Sequence, residues 1–471
     1  MMPRILFFTM HNSYYKVVSG LLAIVLPVHL VFNVWMATVP FFLGFNEEGG
    51  WLFLSGELLL FMMTPCFGMF ADKIGVRKNC DISFLMMLFG LLLMLFYSEG
   101  YEWTLAFPSC ILISSGYIIF NGGIYLLAYD YSGKSAHVAV PVLYSATLLV
   151  PVFSYLFMPV LYDWMSGVVN ESGLGGLWPL FLLSFTMLLM SAAIIHVRNV
   201  SVAGIRTQCG STKHSGVYVV TFIILLVILS FPAVNCFLFE YAGECTDEKS
   251  VALSTFLSPL NIISFSLMLY AVGFFLFARN RRKYTTPLVI LIILVCLLVF
   301  TGVFNVATDS ISGYYHLPQT FAIVFTPAVI FYYKCSLKRN CRIIYSKCMT
   351  IGVFSFAIAC VLMVLSTIAV FSEGVPFSFL LVSALMFIGL SKVLVFTSVT
   401  LFLFEYTECR KQFSTAFMWL FMVVFVDVNM PFFETAFDDV CYSVIFASFA
   451  FFALLASCVI YHVVRRIEKR I

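Results

Sequence analysis

The chain has 471 residues, of which 62% are hydrophobic and only 10% charged; an average soluble domain carries about 45–50% apolar and about 25% charged residues. So few charges cannot cover the surface of a soluble protein of this size. The composition therefore excludes a soluble enzyme, a nucleic-acid binder and a disordered scaffold, and points to lipid as the main solvent. The net charge of +3 says little as a total; its placement along the chain says more.

Taken in chain order, apolar stretches predict spans at 17–44, 51–71, 81–98, 103–129, 138–162 and 177–197. A basic linker follows, then spans at 216–240 and 256–278. The remainder reads as spans at 285–305, 312–333, 348–372, 377–405, 413–436 and 440–464. Each is long enough to cross a hydrocarbon core of about 30 Å, which takes about 20 residues of helix. The fold class expected is an all-α polytopic membrane protein of about fourteen spans. The short apolar run Ile5–Phe8 does not make a signal-peptide core, so the first long span reads as a retained anchor.

Every Lys and Arg except Lys249 and Lys392 falls on one side of this arrangement, among 26 in all. The opposite loops carry Glu47, Glu48, Glu99, Glu102, Asp247, Glu248, Asp438 and Asp439. Because positive loops stay cytoplasmic, both termini are expected in the cytoplasm. Cys245 and Cys441 then fall in loops on the outer side. Asn170 sits in a glycosylation sequon on that side, and Asn199 in one on the inner side.

Three matches recur in order. Thr64-Pro65 and Lys78-Asn79-Cys80 around span two are echoed by Thr326-Pro327 and Arg339-Asn340-Cys341 around span ten. Tyr129-Asp130-Tyr131 at the end of span four is echoed by Phe404-Glu405-Tyr406 at the end of span twelve. Met158-Pro159 is echoed by Met430-Pro431. The order suggests a duplication: a six-helix bundle over residues 1–197, a basic linker over 198–215, an inserted helix pair over 216–284, and a second six-helix bundle over 285–471.

Residues 68–78 read Gly68-x-x-x-Asp72-x-x-Gly75-x-Arg77-Lys78. This segment resembles the loop-two-three signature of the major facilitator superfamily, and its position after span two agrees. The resemblance implies a fold of two six-helix bundles, alternating access, and a conformational switch built from Gly68, Asp72, Gly75, Arg77 and Lys78. In that switch the acid braces the bundles, facing a helix that begins near Ser414-Thr415. Lys73 stands where the family usually has Arg, so bidentate pairing is lost and the brace weakens. More faintly, Gly116, Asn121-Gly122-Gly123, Pro159-Val-Leu-Tyr-Asp163 and Pro431 resemble the system-L-like and apicomplexan amino-acid transporters, although those relatives have twelve spans.

Polar side chains inside spans are costly and usually face a partner or a cavity. By the repeat and the resemblance, spans one, four, nine and twelve would line the cavity, which makes His29, Asn33, Asn121, Asn305 and Lys392 the cavity candidates. Asp427, at similar depth to Lys392, completes the set, either as a structural ion pair or as a partner that holds Lys392 until an anionic solute binds. His29 with Glu57 forms a candidate proton relay, since His titrates near neutral pH. Gly133-Lys134-Ser135 lacks the earlier glycine of a phosphate-cradling loop, and no His-Glu-x-x-His occurs. No enzyme activity, metal or cofactor is expected, and no nucleic-acid partner. The expected function is a monomeric secondary transporter in the plasma membrane or an organelle membrane, moving an amino acid or similar zwitterion. Two alternatives stand beside it: a proton-coupled transporter of another metabolite or drug, and a non-transporting receptor or scaffold.

Overall fold

The computed structural model describes residues 19–36, 63–96, 102–132, 136–169, 178–197, 317–338, 345–373, 378–406 and 441–470, with isolated positions at 234, 266 and 270. Side chains at 153–169 fall outside that description. In chain order the helices are α1 (Ser19–Met36), α2 (Thr64–Ile74), α3 (Val76–Leu95), α4 (Phe107–Ser132), α5 (Ala136–Val169), α6 (Trp178–Val197), α7 (Leu317–Lys338), α8 (Tyr345–Glu373), α9 (Ser378–Tyr406) and α10 (Tyr442–Arg470). Among the described residues, 7 helices are long and apolar enough to cross a membrane, and the chain is an integral multi-pass membrane protein. The expected spans at 216–240, 256–278, 285–305 and 413–436 lie outside the described residues, apart from helical positions Val234, Ser266 and Tyr270.

The sequence reading ended span two at 71 and began span three at 81. The structure instead continues the first helix through Asp72 to Ile74 and starts the next at Val76. Only Gly75 separates them, with φ of 90°. This is a backbone conformation that residues with a Cβ adopt only at a cost, so glycine is what lets two helices join at a single residue. The Gly75 N–H donates to the Ala71 carbonyl at 2.9 Å and its own carbonyl accepts from Asn79 at 3.1 Å. Gly75 thus closes the last turn of α2 with its N–H and opens the first turn of α3 with its carbonyl, without a loop.

Helices α3 and α4 pack by removing side chains from their contact. A Cβ on Gly116 would lie 2.6 Å from Met87 Cγ and 2.8 Å from the Ser83 carbonyl, and one on Gly90 2.7 Å from Ile113. Small residues of this kind let backbones approach where no hydrophobic effect drives helices together in lipid. Hydroxyl and amide donors then cross the seam: Ser83 to the Gly116 carbonyl at 2.6 Å, Ser109 to that of Gly90 at 2.7 Å, and Asn79 to that of Ile119 at 2.8 Å. Gly116, a cue for the amino-acid-transporter resemblance, thus has a packing role. The neighbour relations recur further along the chain. As α3 packs on α4 and α6, so α8 packs on α9 and α10, with Gly352 pressed against Leu394 and Val395. Outward-facing Leu85, Phe89, Leu189, Met190, Ile351, Phe451 and Leu455 are exposed on α3, α6, α8 and α10, as lipid contact requires. Helix α5 joins the two groups, touching α4 on one side and α7 and α9 on the other.

Candidate functional site

The site builds from two helical stripes. Tyr117, Asn121, Tyr125 and Tyr129 recur at intervals of four along α4; Lys392, Phe396, Thr400 and Phe404 do so along α9. Residues four apart share a helix face. The stripes meet at their lower ends, toward Ser132 and Tyr406. Tyr125 packs edge-on against Phe396 at 5.2 Å between centroids, and Tyr129 lies 5.0 Å from Phe404. From α5, Tyr144 stacks on Phe396 at 4.2 Å. Ser145 donates to Thr326 of α7, which donates on to the Ala322 carbonyl at 2.9 Å. Tyr125, Tyr144, Phe396 and Phe404 are all buried. Together they form an aromatic layer between the two groups of helices, close to the ends from which the basic segments continue.

One turn above this layer stand Asn121 and Lys392. Lys392 is 5% exposed and Asn121 is fully buried. Asn121 lies eleven residues, about 16 Å of rise, from the Ser132 end of α4. Its Nδ2 donates to the Tyr117 carbonyl of its own helix at 3.0 Å, while its Oδ1 is buried without a partner. Gln319 Oε1 on α7, and Ser391 Oγ and Thr400 Oγ1 on α9, are likewise buried without a hydrogen-bond partner. Each such atom costs about 1–3 kcal/mol. Helix α7 is held against α9 at Gly389, where a Cβ would lie 2.6 Å from Phe321 Cβ and 2.7 Å from the Pro318 carbonyl. Gly389 sits one turn above Lys392, so Gln319 belongs to the turn of α7 that adjoins it.

His29 occupies a separate buried cluster. Its Nδ1 lies 2.7 Å from the Tyr117 hydroxyl and its Nε2 3.4 Å from Thr147 Oγ1. Thr147 donates to the Leu143 carbonyl at 3.0 Å, which commits its single proton. Its oxygen therefore accepts from His29 Nε2–H and, at 3.2 Å, from the Tyr125 hydroxyl. Tyr117 then donates to Nδ1, and stacks on Phe32 at 3.7 Å. A hydroxyl chain thus connects His29 on α1 with Tyr125 in the aromatic layer. Asn33 donates to the His29 carbonyl at 2.9 Å. Of the remaining candidates, Asn305, Asp427 and Glu57 lie outside the described residues.

In the switch motif, Gly68 is buried, Arg77 half-buried, and Asp72, Gly75 and Lys78 exposed at the α2–α3 elbow. The helix expected opposite Asp72, from Ser414-Thr415, lies outside the described residues. Tyr270, from the expected eighth span, donates to the Val324 carbonyl of α7 at 2.9 Å. Among the described residues no group of three or more His, Cys, Asp or Glu side chains could hold a metal.

The sequence reading missed Tyr117, Thr147, Tyr125, Tyr144 and Phe396. The four-residue spacing that carries Tyr117 and Tyr125 on α4 and Phe396 on α9 was visible, but aromatic and hydroxyl residues in a span read as packing until a facing helix gives them partners.

No family model matches the sequence, and no curated protein does. Solved structures do. The chain is similar to the major facilitator superfamily transporter FucP in its outward conformation, at 12% identity over 96% of this chain and 99% of that one, with a TM-score of 0.58. A variant of the E. coli fucose:proton symporter FucP gives 11% identity over 96% and 98%, with a TM-score of 0.55. A bacterial homologue of the human drug peptide transporters PepT1 and PepT2 gives 15% identity over 97% and 99%, with a TM-score of 0.50. The chain has the major-facilitator fold.

Proposed function

We propose that the chain is a secondary transporter that moves a small polar solute by alternating access, and that the structure is its form closed toward the cytoplasm. The observation that carries this is the buried cation Lys392 standing one turn above the layer of Tyr125, Tyr144 and Phe396. An ammonium in the bilayer interior is unfavourable by several kcal/mol and is kept where it meets a solute or a charge partner. The basic ends of the helices put the aromatic layer on the cytoplasmic side by the positive-inside rule. The likeness to an outward conformation supports the same orientation.

The leading solute class is an amino acid or similar zwitterion, with Lys392 attracting its carboxylate and Asp427 holding the Lys392 ammonium until the solute binds. Asn121, His29, Asn33 and Asn305 complete the lining. The repeated neighbour relations of α3 and α8 support two rocking bundles over 1–197 and 285–471, with 198–215 as linker and 216–284 as an inserted pair. Gly68, Asp72, Gly75, Arg77 and Lys78 act as the switch between states. The test is uptake of a radiolabelled amino-acid panel in proteoliposomes. Lys392→Ala is expected to lose at least 10-fold in uptake; uptake at the wild-type rate would remove Lys392 from the mechanism.

A second reading is favoured by the hydroxyl chain from His29 to Tyr125: proton-coupled movement of another metabolite or drug. One similar structure is a fucose:proton symporter. Uptake that rises with an imposed pH gradient, and loses that response in His29→Gln, selects this reading. Solute binding without flux would instead select a receptor on the same fold.

A further inference from the structure

Asn121 is not needed where it stands for the helix it sits in. The Tyr117 carbonyl that its Nδ2 meets already accepts the backbone N–H four residues on, as every interior helical carbonyl does. Its Oδ1 is buried without a hydrogen-bond partner, inside a bilayer where such an atom is most costly. A leucine would fill the same space without that cost. Gln319 Oε1 and Ser391 Oγ repeat the pattern on the helices next to Lys392.

Their placement relates them. Tyr125 meets Phe396; Asn121 is one turn above the first and Lys392 one turn above the second. By helix spacing, α4 carries an acceptor and α9 a cation one turn above that contact. An amide oxygen accepts and never donates. Whatever meets Asn121 Oδ1 must bring an N–H or O–H.

We propose that Asn121 Oδ1 receives the donor end of the solute while Lys392 receives its anionic end, so that the solute class is a carboxylate carrying an ammonium or hydroxyl group on the neighbouring carbon. Gln319 and Ser391 supply further acceptors on the α7–α9 side. A plain monocarboxylate leaves the amide oxygen unpaired and is rejected. The proposal builds on the transport reading and assigns the specificity of that site.

The test uses the purified full chain and matched probes of one skeleton: alanine, lactate and propanoate; leucine, its hydroxy analogue and isocaproate; phenylalanine, its hydroxy analogue and hydrocinnamate. Binding is read by calorimetry and flux in proteoliposomes. In at least one set the wild type is expected to bind a donor-bearing member about 10- to 100-fold more tightly than the bare acid. Preference for the amino member over the hydroxy member assigns the donor as ammonium, and the reverse as hydroxyl. Asn121→Leu is expected to bring that ratio near one and, without solute, to raise Tm by about 2 °C as the unpaired oxygen disappears. Asn121→Ser, which keeps lone pairs, retains part of the preference and serves if the leucine variant does not fold. An unchanged ratio in these variants, or a wild-type ratio near one, overturns the proposal. Selective binding with no flux overturns the transport reading alone, and binding of no probe overturns the solute class in both.

Discussion

The ring of Tyr129 lies 5.0 Å from that of Phe404, tilted by 47°. These two residues open the matching triplets Tyr129-Asp130-Tyr131 and Phe404-Glu405-Tyr406. In a molecule built from two like halves, a residue touches its own counterpart only where the relating axis passes between them. Under the proposed duplication, the contact lies where such an axis would run, and where the two halves would part on this side.

Cysteines at these positions test that. In a background with the native cysteines replaced, Tyr129→Cys with Phe404→Cys is expected to join with a short bifunctional thiol reagent. The joined protein is expected to lose more than 90% of its flux (about 10-fold, the scale of one lost 1.4 kcal/mol) and to recover when a reducible linker is cut. Full flux in the joined form would mean that the layer does not have to part.

Glycine positions separate crowding from backbone strain. At Gly389 an added Cβ meets the Pro318 carbonyl at 2.7 Å and the Ala322 nitrogen at 2.8 Å, backbone atoms that cannot rotate away. Gly389→Ala should cost about 1–3 kcal/mol. At Gly75 nothing lies within 4 Å of an added Cβ, but φ is +90°. Gly75→Ala should cost about 1–2 kcal/mol through the backbone alone. Thermal unfolding in detergent measures both; a second-site Phe321→Ala should relieve neither.

Removing Phe396 takes away the ring between Tyr125 and Tyr144. Phe396→Ala is expected to destabilise by about 3–5 kcal/mol, as large-to-small changes in packed cores do. If the layer is a gate, the variant also opens the basic side, so an impermeant thiol reagent should reach a cysteine placed at Tyr144 in inside-out vesicles. Protection equal to that seen with Phe396 present would assign the ring to packing only.

Cys441 is a free, exposed thiol at the start of α10. Its hydroxyl neighbour Ser443, with Sγ to Oγ at 3.2 Å, and the Ser443 backbone N–H pull its pKa below the ordinary cysteine value. The thiolate, which is the reactive form, is thus present at lower pH than for an average cysteine. Reaction of Cys441 with an impermeant maleimide should stay fast as pH falls toward neutrality, and Ser443→Ala should slow it several-fold at pH 7. Reaction only from the side bearing Lys73 and Arg465 would invert the assumed orientation.

The spans were legible because hydropathy over a bilayer thickness is a one-dimensional property. Residues 177–197 were expected for the helix at Trp178–Val197, and 377–405 for that at Ser378–Tyr406. The α2–α3 elbow was not, because charge at Asp72, Lys73, Arg77 and Lys78 resembles a loop while their backbone stays helical. In the candidate site, buried Lys392 and Asn121 stood out as polar groups in apolar helices. The hydroxyl chain through Tyr117, His29, Thr147 and Tyr125 did not, since it joins α1, α4 and α5, and no spacing within one helix encodes a contact among three.

At Gly389 the backbone of α9 brings no side chain to its contact with α7, and a Cβ there would meet the Pro318 carbonyl, the Ala322 nitrogen and Phe321 Cβ within 2.8 Å. A helix that carries a charge past a neighbour normally slides on a cushion of methyl groups, which can shear. Here that cushion is reduced to the Phe321 Cβ, so in the proposed cycle a displacement of Lys392 would carry the upper turn of α7 with it. In that cycle solute capture on one helix and movement at the Ser145–Thr326 seam would be two ends of one lever.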